Sequence, residues 1–244
     1  MAEKKDAIPA PPWQRVPERG KGRRRDPLTR EAIVKAGLEV LDSHGLAGFS
    51  MRRVADELDT GAASLYWHVG SKDGLLDLIL EEVMEEQVEK LPAPDPERWQ
   101  EQLKEVARGM RRTILEHRDI VQVSIGRIPM GPNALRLSEG VLAILRAGKV
   151  PDELAVQSYL LLISAVNGFT VDEAGFEDGA EGAPPIDELA EMVGGYLRSL
   201  PVEQFPNLAD VGQHFAMADQ DARFELLLDL FVDGLAAKAA DARG

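Results

Sequence analysis

The chain has 244 residues, of which 44% are hydrophobic, so it is long enough for one large or two modest domains with a buried core. It contains no cysteine, which excludes disulfides, thiolate catalysis and Cys-ligated zinc or iron–sulfur sites, and suits a reducing cytoplasm. The net charge of −14 argues against a nucleic-acid partner until its distribution is read: residues 1–30 carry +5, residues 31–75 carry −3, and the remainder carries −16.

Residues 1–27 hold Pro9, Pro11, Pro12, Pro17 and Pro27 among many charges, a composition that predicts an extended or disordered arm. Within it Lys21-Gly22-Arg23-Arg24-Arg25 is a compact basic cluster. It suits either a solvated tail or an arm whose arginines enter the minor groove of adjacent DNA. Thr29 to Ser43 places Ile33, Ala36, Val40 and Leu41 on one helical face, with Thr29 as cap and Gly45 as stop.

The next stretch organises the rest. Met51, Val54, Ala55 and Leu58 recur at helical spacing, Asp59-Thr60-Gly61 breaks the pattern, and Leu65 with Val69 resumes it. Two short helices over a tight turn are the helix-turn-helix plan, whose second helix lies in the major groove. Small or polar residues (Thr60, Gly61, Ala62, Ala63, Ser64) open that helix, and phosphate-binding donors (Tyr66, Trp67, His68, Lys72) follow.

From Thr29 through Phe49-Ser50-Met51-Arg52, Ser64-Leu65-Tyr66-Trp67-His68-Val69 and Lys72 with Leu75-Leu76, the chain resembles the TetR-type transcriptional regulators. The Tyr-Trp-His form is similar to the tetracycline-repressor branch. The resemblance implies that Arg52, Ala62, Ala63 and Ser64 face bases or the neighbouring backbone, while Tyr66, Trp67, His68 and Lys72 clamp phosphates. Ala62 and Ala63 depart from it, since neither side chain can hydrogen-bond a base.

Gly74 to Leu91 predicts a fourth helix with Leu75, Leu78, Ile79, Val83 and Met84 inward and Glu81, Glu82, Glu85, Glu86 and Glu89 mostly on a solvent face. Three prolines in Leu91-Pro92-Ala93-Pro94-Asp95-Pro96 end it. Further helices are expected over about 96–117, 119–125, 133–147, 151–174, 187–200 and 219–240, with Gly175 to Pro185 an acidic loop and Phe205-Pro206-Asn207-Leu208 a turn. The 151–174 segment is apolar on more than one face, suiting burial against its own domain and a second subunit. In the resembled family two C-terminal helices per subunit build a four-helix dimer bundle.

The fold expected is therefore all-α: a three-helix helix-turn-helix DNA-binding head at 28–74 and a larger helical ligand-binding and dimerisation domain at 75–240. The implied function is a cytoplasmic, ligand-responsive DNA-binding regulator. Such a repressor is a homodimer released from a palindromic double-stranded operator by a small-molecule, antibiotic-like effector. A small molecule would displace the 75–91 helix and move the two heads out of register.

Polar or aromatic residues set in apolar helices are the ligand candidates: Trp99, His117, Gln122, Met130, Asn167 and Phe169. Each also fits a satisfied core residue or a dimer contact. No cofactor, metal or membrane is called for: no uninterrupted run of about 18 apolar residues occurs. His44, His68, His117 and His214 have no ligand spacing, and Glu116 and His117 point to different helix faces. The rivals are a helical enzyme using the C-terminal cavity and a ligand-sequestering protein; the chain has none of the nucleophile-elbow, dinucleotide, P-loop or zincin motifs.

Overall fold

A computed structural model describes residues 28–177, 184, 186–214 and 219–242, so the basic cluster Arg23-Arg24-Arg25 and most of the expected acidic loop lie outside the described residues. Every regular element among them is helical. The elements are α1 (Arg30–Gly48), α2 (Met51–Glu57), α3 (Ala62–Val69), α4 (Lys72–Glu89), α5 (Trp99–Glu116), α6 (Ile120–Ser124), α7 (Pro132–Ala147), α8 (Asp152–Glu177), α9 (Ile186–Arg198), α10 (Pro206–Val211) and α11 (Gln220–Asp241), with a 3-10 turn at Gly212–His214.

Local chemistry sets most boundaries. Thr29, Ser50, Ser71 and Asp219 are side-chain N-caps of α1, α2, α4 and α11, each accepting from a backbone N–H three residues on. Pro132 and Pro206 stand at the first position of their helices, where a missing N–H costs nothing. The Phe205-Pro206 turn expected from sequence thus opens a short helix. Gly175, expected to start a loop, is still within α8. Gly45 does not end α1 outright: at φ 65° and ψ 175° it breaks the helical geometry, and one further turn follows to Gly48.

Two buried clusters organise the packing. The first gathers Ile33, Val40 and Leu41 of α1, Met51 and Val54 of α2, Leu65 and Val69 of α3, and Leu75, Leu76, Ile79, Leu80 and Val83 of α4, and it also takes Ile120 and Val123 from α6. The second joins α5, α7, α8 and α11 through Leu103, Val106, Ile144, Leu145, Leu162, Val166, Phe224 and Leu228, with Val88 and Leu91 packed against it. Helix α4 therefore starts in one core and ends against the other.

Beyond the cores, α8 and α11 each keep an exposed apolar face, with Leu160 and Leu161 at 52% and 60% exposed and Leu226 and Leu230 at 57% and 68%. By length and composition α8 could cross a bilayer. Its opposite face, however, is built into the second core. Along the flank of this core, α5 and α11 are joined by a ladder of ion pairs, Lys104 with Asp229, Arg108 with Glu225, and Arg111 with Asp221 and the buried Glu173.

Candidate nucleic-acid interface and cavity

The head presents α3 as a projecting edge. Helix α2 ends in a left-handed residue, Asp59 at φ 46°, with the Thr60 N–H donating to Ala55 O at 2.9 Å, the closing bond of a Schellman-type turn. This turn swings α3 across α2. Leu65 and Val69 then anchor α3 in the head core, which leaves Tyr66 and Trp67 facing outward, Trp67 at 74% exposed. Ala63 and Ser64 are exposed on the first turn, while Ala62 is partly buried against the core, and His68 is half-buried at the far end. Thr60 is half-buried in the turn, and Arg52 on α2 is exposed.

Two basic residues in the head serve its corners. Lys72 Nζ donates to Phe49 O at 2.9 Å and lies 5.4 Å from the Phe49 ring centroid, so its ammonium ties the start of α4 to the α1–α2 junction. Arg53 donates to Gly48 O at 2.8 Å. The Lys72 side chain was expected only as a phosphate clamp; an ammonium has three protons, so one bond to Phe49 leaves donors for a phosphate. At the α3–α4 corner, Gly70 adopts φ 74°, and a Cβ on Gly74 would run into the Val69 carbonyl oxygen.

The head is also pinned to segments that follow α4 in the chain. Asp119, at φ 56°, accepts from Leu46 N at 2.7 Å, beside the break at Gly45. Asp42 accepts from Arg118 N and lies 3.1 Å from His117 Nδ1. Arg127 bridges Asp73 and Asp77 of α4, each at 2.7 Å, and donates to Val123 O. Glu81, expected on a solvent face, instead accepts from the first backbone N–H groups of α7, Asn133 and Ala134, capping that helix from α4.

A cavity of about 50 Å³ opens where α4 ends, lined by Gln87, Lys90, Leu91 and Pro92, by Glu105, Val106, Gly109, Arg112 and Thr113 of α5, and by Leu137 of α7. The six side chains singled out from sequence do not line it. Trp99 is buried with its ring against Gly148, His117 faces Asp42, and Gln122 is exposed and donates to Asp119. Met130 is exposed on the α6–α7 loop, Asn167 is half-buried on α8, and Phe169 meets Phe224 at a 59° tilt, ring centroids 5.0 Å apart, beneath the Arg111 guanidinium. Gln87, four residues after the inward Val83, carries the same signal among glutamates.

The family model for bacterial regulatory proteins of the tetR family matches residues 33–79, and that for the tetracyclin repressor-like C-terminal domain matches residues 91–239. The chain belongs to the TetR family. Among curated relatives of this TetR-family chain, an HTH-type transcriptional regulator of Saccharopolyspora erythraea is 37% identical over 180 residues, covering 70% of this chain and 74% of that one. Tetracycline repressor protein class E of Escherichia coli is 25% identical over 202 residues, covering 83% of this chain and 93% of its own. Among solved structures, the Streptomyces coelicolor TetR-family protein ActR in complex with actinorhodin superposes with a TM-score of 0.82 at 42% identity, spanning 89% of this chain and all of that one. This TetR-family chain is accordingly a DNA-binding transcriptional regulator and not an enzyme.

Proposed function

We propose that the protein is a cytoplasmic homodimeric repressor that leaves a palindromic operator when a polycyclic, antibiotic-like small molecule enters the cavity at the end of α4. The observation that carries this is the double membership of α4. Its first three turns belong to the core that holds α3, and its last turn forms a wall of the cavity. At about 50 Å³ the cavity is far below the roughly 300–1,000 Å³ of drug-sized pockets. A polycycle therefore fits only by parting α4 from α5 and α7, and that displacement tilts the head.

A single head reads only a half-site. Two heads held roughly 34–36 Å apart, or a multiple of one turn, add their contacts and give selectivity against a genome of competing sequence. A ligand releases DNA only to the extent that it binds the wrong head spacing better than the right one. In this reading residues 28–74 are the DNA-binding unit, residues 75–240 bind ligand and the partner, and the apolar faces of α8 and α11 meet their copies. Arg52, Ala63 and Ser64 approach bases, and Tyr66, Trp67, His68 and Lys72 hold phosphates. The relatives supply the effector class, since the similar ActR was crystallised with actinorhodin.

The test is fluorescence anisotropy of labelled DNA from upstream of the protein's own gene, with and without actinorhodin. Tight binding to that fragment, weaker binding to random sequence, and release on adding the compound are expected. Equal affinity for both fragments, with the same salt dependence, would refute the repressor.

A further inference from the structure

The cavity carries polar groups that say what kind of molecule suits it. Gln87 is the single uncharged polar residue in the last two turns of α4. Its Oε1 is buried with no hydrogen-bond partner among the described residues, and the residue lines the cavity. An acceptor held out of water without a donor is unfavourable, so a ligand that parts α4 from α5 gains by bringing this oxygen a donor. Three charged residues share the lining. Lys90 pairs with Glu86 at 3.5 Å and Glu105 pairs with Arg98 at 3.0 Å, whereas Arg112 makes no ion pair among the described residues. Leu91, Val106 and Leu137 supply apolar wall, and Gly109 leaves the space beside it open, with no atom within 4 Å of where a Cβ would stand.

We propose that the effector is a hydroxylated carboxylic acid with an apolar body: its hydroxyl donates to Gln87 Oε1, its carboxylate pairs with the exposed Arg112 guanidinium, and its body lies against Leu91, Val106 and Leu137. This rests on the reading of the cavity as the effector site. The two polar contacts do different work. The buried acceptor discriminates against compounds that cannot donate, because a methyl in place of the proton leaves the oxygen unpaired and crowds it. The cation at the edge selects charge and orients the long axis of the ligand.

A matched set of probes separates them: 6-hydroxy-2-naphthoic acid, 6-methoxy-2-naphthoic acid and methyl 6-hydroxy-2-naphthoate, titrated by calorimetry into the full-length protein. The hydroxy acid is expected to bind about fivefold tighter than the ether and about tenfold tighter than the ester. Gln87→Leu should erase the first preference and keep the second, and Arg112→Gln should do the reverse. Gly109→Leu, which fills the open space from a helix position that tolerates larger residues, should weaken all three. No binding of the hydroxy acid, or preferences that survive both substitutions, overturns the proposal. Operator binding measured on the same samples keeps the two levels apart. If actinorhodin releases DNA while these preferences are missing, the ligand chemistry falls and the regulator stands. If the preferences hold but cognate and random DNA bind alike, the regulator falls and the ligand chemistry stands.

Discussion

Two residues show how much of this fold turns on single backbone positions. Gly45 and Asp59 both sit in the left-handed region, at φ 65° and 46°, but for opposite local reasons. At Gly45 the absence of a side chain lets Asp119 reach Leu46 N; a Cβ there would stand 2.6 Å from Asp119 Oδ2. Gly45→Ala is expected to destabilise the protein by roughly 1–3 kcal/mol in urea unfolding, through left-handed strain and loss of that bond. Asp59 is exposed and meets no such crowding, so Asp59→Gly should stabilise by about 1 kcal/mol as the αL penalty is removed. A lower urea midpoint for Asp59→Gly would contradict the turn geometry. Lys72→Ala has a mixed expectation: it loses the tie to Phe49 O as well as the proposed phosphate contact. Binding should weaken across all DNA sequences, with the salt slope falling by about one unit. A change in sequence preference would assign the side chain to base readout instead.

At the scale of elements, the α5–α11 ladder is the feature with a pH signature. Hydrogen bonding to Arg108 holds the Glu225 carboxyl below its ordinary value of 4.5. Its contribution is therefore complete above that value and is lost as pH falls through the depressed one. Hydrogen bonding to Asp229 raises Lys104 above 10.5, so that contribution is present below 10.5 and lost as pH rises through the raised value. Both pairs are half open to solvent and screened, so the effects are small and fall off with salt. Thermal melts of Glu225→Gln should show a shallower decline between pH 5 and 3 than the parent, within about 1 kcal/mol; parallel curves would remove the ladder from the acid transition. The pattern of elements was largely legible from spacing alone, because Ile33, Val40, Leu65, Val69 and Phe224 fall on single faces and the cap of α1 stands at Thr29 as expected. What spacing did not disclose were links between distant segments. Glu81 capping α7, Arg127 bridging Asp73 and Asp77, and Asp119 holding Leu46 join residues 50 to 73 positions apart, and no local periodicity records such a partner. Gln87 was hidden differently, as one amide in a run of carboxylates.

For the molecule as a whole, two features bear on the proposed assembly and docking. If the exposed faces of α8 and α11 meet their copies, Leu161→Glu with Leu226→Glu should give a monomer in sedimentation and abolish operator binding, while the cores, to which neither residue contributes, keep the helical signal. A dimer that persists would place the two-fold contact elsewhere. The charge distribution adds a second expectation. The DNA-proximal third is about +2 in a chain of −14, so removal of residues 1–25, which hold most of the basic residues there, should weaken operator binding and flatten its dependence on salt. Unchanged affinity would exclude the arm from docking.

That Ile120 and Val123 sit inside the first core has a practical corollary for anyone grafting operator specificity from one relative to another. A cut after residue 74 or 91 would splice a new head onto two foreign plugs, and mismatched volumes there would loosen the joint. A faithful transplant moves two segments together, residues 28–91 with 117–127, so that Asp42, Asp73 and Asp77 keep their partners His117, Arg118 and Arg127.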